Sequence, residues 1–201
     1  MGERETWTTE EFGSSHEGTV GVLLADGTVP EPVTYLLMSG GCGMTVSHWS
    51  VYDGRIGLAP RAHALRAVCC CGWTGPEHLL NWDEIGEQAL STAGADAAGT
   101  CMEEWGRHTV EVEQSAIALP EAVTDLLERL EAEIEKLEKT APLVALRAAR
   151  RLEVTAERVA YWPAHEARHG TSLDEVAAAL GLNEDGARQL LARFGNWDPY
   201  S

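Results

Sequence analysis

The spacing of the apolar residues changes once along this chain, near residue 94, and the change divides the fold into two parts. Before it, short runs rich in β-branched and aromatic residues end at turn signals: 19–25 at Asp26-Gly27, 33–38 at Ser39-Gly40-Gly41, and 45–52 at Asp53-Gly54. A further run, 63–71, leads into Gly72-Trp73. Each is expected to be a strand. After the change, Ala97, Cys101, Trp105 and His108 recur at spacings of 4, 4 and 3, one face of a short helix. A last strand is expected over 109–117, and residues 1–18, rich in Glu, Thr, Ser and Gly, read as a loose tail.

Pro120 opens a longer helical stretch. Val123, Leu127, Leu130, Ile134 and Leu137 are spaced 4-3-4-3 with charges between them, a coiled-coil seam of little more than two heptads. Two arrangements satisfy such a seam: a hairpin with the next helix, 143–161, or a homodimer through helix 120–139. Thr140 and Pro142 suit the start of that next helix, and Pro163 is expected to kink or end it. The resulting fold class is α+β: a flexible tail (1–18), an acidic α+β domain (19–117) and a helical domain (120–201).

Charge narrows the function classes. The formal net charge is −17, but residues 1–140 hold 8 Lys+Arg against 24 Asp+Glu, while residues 141–201 hold 7 against 8. Only the C-terminal segment is therefore suited to approach a phosphate backbone. The first residues lack the apolar stretch of a secretory signal, and no apolar run reaches the length that spans a bilayer, so a soluble cytoplasmic chain is expected.

The C-terminal segment has a specific pattern. Ser172 with Glu175 reads as a capping box, and Val176, Ala177 and Leu180 form an apolar face. Gly181 breaks the helix, Leu182 fills the space between helices, and Asn183 caps a second helix carrying Ala187, Leu190, Leu191 and Phe194. A small residue, Gly four positions later and apolar residues beyond it resemble the bacterial helix-turn-helix family. That resemblance implies DNA binding with helix 183–194 in the major groove, through Asn183, Arg188, Gln189 and Arg193. Arg147, Arg150, Arg151 and Arg158 on the preceding helix add positive charge, whereas Glu184 and Asp185 oppose a polyanion. The alternative is a non-enzymatic adaptor that uses the same helices on a protein of the transcription machinery.

The remaining chemistry lies in Cys69-Cys70-Cys71-Gly72-Trp73. In a reducing cytosol such a cluster points to metal or to packing. Alternation along an extended chain puts Cys69 and Cys71 on one side, as two corners of a zinc knuckle, and Cys70 on the other side, in the core. His108, at a helix end, is the third expected ligand. His48 is the favoured fourth, with Cys101, His63 and Cys42 as other choices. The pattern Cys-x-Cys-Gly-Trp followed by Trp105-x-x-His108 resembles a segment of small proteins from high-GC Gram-positive bacteria, over roughly residues 45–110. That resemblance implies a domain and not an activity. The expected cofactor is structural Zn2+. No metallohydrolase signature, phosphate loop, Gly-x-Ser-x-Gly or Gly-x-Gly-x-x-Gly occurs, so the chain is not expected to be an enzyme. His165 and His169, four apart, are expected to complement a helix C-terminus and not to bind metal. Of the seven tryptophans, Trp197 is the expected interface residue.

Overall fold

The computed structural model describes residues 5–35, 44–55 and 59–195, so Cys42 and Trp197 lie outside the described residues. The chain is mixed α/β and divides into two compact units, Met1–Glu113 and Gln114–Ser201.

The first unit is built on an antiparallel sheet of order β1-β2-β5-β6, made of β1 (Thr6–Trp7), β2 (Gly18–Leu23), β5 (Ala64–Cys69) and β6 (His78–Leu79). A separate pair, β3 (Val33–Tyr35) and β4 (Met44–Val46), is also antiparallel. Two single-turn helices, α1 (Trp82–Ile85) and α2 (Leu90–Ala93), precede the 21-residue α3 (Ala95–Ser115). In β5, Leu65, Ala67 and Cys69 are buried and alternate with partly exposed Arg66 and Val68. The two-residue period of the strand thus turns Cys69 toward the core, which it shares with Val20, Leu90, Cys101 and Trp105.

Three expectations for this unit are corrected. The N-terminal stretch is structured: β1 pairs with β2, Trp7 is buried against Trp105 at 5.7 Å between ring centroids, and Gly13–His16 forms a 310 turn. Burial of one indole supplies enough apolar area to outweigh the polar composition around it. The expected strand 45–52 is only β4, because the His48 side chain accepts from the Ser50 N–H and starts the 310 turn Trp49–Val51. No strand follows at 109–117 either. α3 runs on to Ser115 because His108 and Thr109 are buried on the same helical face as Cys101 and Trp105, and this packing outweighs the β-branched residues after His108.

The second unit holds α4 (Glu121–Glu138), α5 (Pro142–Gly170), α6 (Leu173–Ala179) and α7 (Glu184–Gly195). α5 passes through Pro163, so the helix does not end there as the sequence allowed. The proline removes one N–H from the helical ladder, but its neighbour Ala164 is buried against Val176, Ala177, Ala187 and Leu191, and that packing carries the helix on to Gly170. His165 and His169 thereby fall in its last two turns. The α6–α7 connection follows its sequence signals. Glu175 accepts from the Ser172 N–H (3.0 Å) and hydroxyl (2.7 Å), Gly181 has φ of 62°, and Asn183 Oδ1 accepts from the Gly186 N–H (2.7 Å). No helix among the described residues is long and apolar enough to cross a membrane.

Candidate metal centre

Three separate elements bring four donors together: His16 from the 310 turn, Cys69 and Cys71 from the end of β5, and His108 from α3. Their ligand atoms all lie within 4.8 Å of one another. Cys69 Sγ is 3.5 Å from His16 Nδ1, and Cys71 Sγ is 3.3 Å from His108 Nε2. A tetrahedral site with Zn–S near 2.3 Å and Zn–N near 2.0–2.1 Å has sulfur-to-nitrogen edges of about 3.5 Å. The donors could therefore hold a metal ion with little movement. His16 and Cys69 are each 2% exposed and His108 8%, while Cys71 is only partly covered.

The fold builds this cluster with a few well-placed contacts. After β5 the chain reverses, with the Gly72 N–H donating to the Cys69 carbonyl and the Cys69 N–H to the Trp73 carbonyl, both at 2.9 Å. The reversal lays the Trp73 ring flat on His108, at 4.3 Å and 3° between planes. Trp105, one turn before His108 on α3, donates its Nε1–H to the His16 carbonyl at 3.2 Å. That indole lies against the backbone of Gly18, where any Cβ would come within 2.5 Å of the ring. One tryptophan thus orients each histidine.

Cys70 corrects a further expectation. It stands outside the four-donor cluster, but it is exposed and not in the core. Its Sγ accepts from the Glu17 N–H (3.2 Å) and faces the Ser14 and Ser15 carbonyls (3.3 Å each), and its own N–H donates to the Glu17 carbonyl (2.9 Å). The middle cysteine fastens the turn that carries His16.

The electrostatics suit a cation. Burial is the main cause that pushes the Cys69 thiol up, with the Cys71 N–H acting in the opposite direction. Burial also holds His108 below its ordinary value, and the neighbouring His16 ring adds to this. A divalent cation with two thiolates and two neutral imidazoles would sum to zero charge.

Of the expected ligands, Cys69, Cys71 and His108 converge and His48 does not. The His48 Nδ1 lies 2.7 Å from Ser50 Oγ, and its Nε2 is 4.0 Å from a Glu5 carboxylate oxygen. His63 is exposed. Cys101 belongs to a different group, with His78 and Glu104. There His78 Nε2 lies 3.1–3.2 Å from both oxygens of the buried Glu104 carboxylate. Burial first, and the Glu104 charge second, push the Cys101 thiol up to about 12, so it serves as a small apolar core residue beside that pair. His16 is the fourth donor of the cluster and is not among the ligands expected from the sequence. Its sequence signal was weak: one histidine in Gly13-Ser14-Ser15-His16, within a stretch whose composition reads as a tail.

The residues expected to contact DNA lie at the start and along the exposed side of α7. Arg188 pairs with Asp185, the Arg193 guanidinium sits 5.3 Å above the Phe194 ring, Gln189 is exposed, and Asn183 caps the helix.

The fold and the cluster define an α/β chain of two units, one of which carries a closed His2Cys2 donor set. No protein-family model matches the chain, and no curated protein or solved structure matches it.

Proposed function

We propose that this chain is a non-enzymatic, cytoplasmic, DNA-binding regulatory protein whose N-terminal unit is held together by one structural zinc ion at His16, Cys69, Cys71 and His108. The observation that carries the zinc reading is the closed donor set, with four protein ligands and three of them buried. A catalytic zinc keeps a corner open for water, and a tetrahedral S2N2 set favours zinc over harder cations. Elemental analysis of the purified protein should find about one zinc per chain, lost in Cys69→Ser and in His16→Ala but kept in His48→Ala. Zinc-free protein with full thermal stability would overturn this reading.

The α6–α7 pair supports the DNA reading. Its turn residue Gly181 is left-handed, and Ala177 and Ala187 are buried where the helices meet, as in the helix-turn-helix family it resembles. Binding to a duplex should weaken steeply with salt and fall in the double variant Arg188→Ala, Arg193→Ala. The adaptor reading is favoured by a separate observation: Glu184 and Asp185 occupy the first turn of α7, and Asp185 already pairs with Arg188. A failure to bind pooled genomic fragments at low salt would reject DNA binding in favour of that adaptor.

A further inference from the structure

α4 is 18 residues long and buries none of them. A surface helix normally owes its stability to an apolar stripe packed on the rest of its unit, since an isolated helix of this length is marginal in water. The stripe exists here. Ile134 and Leu137, next to the connection to α5, are partly buried, whereas Val123, Leu127 and Leu130, further along the same 4-3-4-3 seam, are exposed. α5 repeats the pattern over Ala141, Ala145, Ala148, Leu152, Thr155, Val159 and Trp162, spaced 4-3-4-3-4-3. Near the connection this seam is covered and made of alanines, while Leu152, Val159 and Trp162 are exposed, Trp162 at 62%.

We propose that the occupant of these two open seams is a second copy of this chain, its α4–α5 hairpin joining the first as a four-helix bundle. The charges name the occupant. α4 carries 7 acidic and 2 basic residues, and α5 carries 5 basic and 3 acidic residues. Each hairpin therefore presents one acidic and one basic helix, which makes it complementary to itself when the acidic helix of one copy lies beside the basic helix of the other. Glu131 and Glu138 flank the α4 seam, and Arg151 and Arg158 flank the α5 seam. Among the described residues none of these four has an oppositely charged partner within 4.0 Å. The six exposed seam residues offer on the order of 600 Å2 of apolar surface, which with a polar rim reaches the roughly 800 Å2 per partner of a standard interface. This inference shares no residue with the zinc reading, and with the DNA reading it shares only Arg151 and Arg158, whereas the DNA test uses Arg188 and Arg193.

Sedimentation equilibrium on the full chain tests it. A mass of twice 21.8 kDa is expected at micromolar concentration. Leu127→Glu with Val159→Glu should raise the dimer dissociation constant at least about thirtyfold, with helical content and zinc stoichiometry unchanged because both residues are exposed in the monomer. A second pair of variants identifies the partner. Arg151→Glu with Arg158→Glu, and Glu131→Arg with Glu138→Arg, should each weaken self-association, and mixing the two proteins should restore a dimer. A chain that stays monomeric up to about 100 µM, where interfaces of this class associate, or a dimer indifferent to all these substitutions, would overturn the proposal and leave the seams to an unrelated partner.

Discussion

Gly18 shows how far one residue reaches into the candidate metal centre. Its backbone lies against the Trp105 indole, and that indole holds the His16 carbonyl. Gly18→Ala would place a methyl 2.5 Å from the ring, so the ring must move and the His16 turn with it. Overpacking of this kind costs about 1–3 kcal/mol. The expected outcome is a lower melting temperature and faster zinc loss to a chelator, although Gly18 itself ligates nothing. Cys70 makes the complementary case. Cys70→Ser should keep one zinc per chain, because a hydroxyl can still meet the Ser14 and Ser15 carbonyls, whereas Cys69→Ser should lose it. Equal loss in both variants would mean that the middle cysteine is itself a ligand. Strand alternation separates Cys70 from Cys69 and Cys71 in the sequence, but it puts Cys70 in the core, whereas that residue is exposed. Alternation could not reveal His16, which reaches the site through β1 pairing with β2 and through the Trp105 hydrogen bond, both contacts over long separations.

At the scale of elements, local signals hold where a side chain bonds within its own turn. The Ser172–Glu175 cap, the left-handed Gly181 and the Asn183 cap involve residues at most three positions apart, and all three are present. Elements decided by packing depart from their local signals: α3 extends through its β-branched residues, and α5 passes Pro163, in each case because a distant surface buries the helix. The cap also sets a pH dependence. Hydrogen bonds from the Ser172 hydroxyl first, and its N–H second, hold the Glu175 carboxyl below its ordinary value, which in model peptides is about 4.3. A lowered folded value means that this contact stabilises the native helix above the ordinary carboxylate range and is lost as pH falls through the lower folded value. Glu175→Gln should therefore lower the melting temperature at pH 7 and flatten its decline in acid. Gly181→Ala forces a Cβ into a left-handed residue at a cost of about 1–2 kcal/mol, which thermal melts followed by circular dichroism should register for the helical unit.

For the molecule as a whole, the two units draw on different sources of stability. Met1–Glu113 contains the donor cluster and the buried tryptophans Trp7, Trp49 and Trp105, whereas Gln114–Ser201 contains the exposed Trp162 and none of the four donors. A structural zinc contributes about 10–16 kcal/mol in small zinc-binding peptides at neutral pH, and a whole domain is stable by only about 5–15 kcal/mol. If the cluster holds zinc as proposed, removing the ion takes away as much free energy as the first unit holds, and nothing directly from the second. With a strong chelator present, the near-ultraviolet dichroism of the buried indoles should collapse and the amides of β2 and β5 should exchange rapidly. The amides of α5, α6 and α7 should keep their protection, and most of the far-ultraviolet helical signal should remain. Added zinc should restore the lost signals. If both units instead lost protection together, their stabilities would be coupled; if neither did, the four donors would be packing without metal.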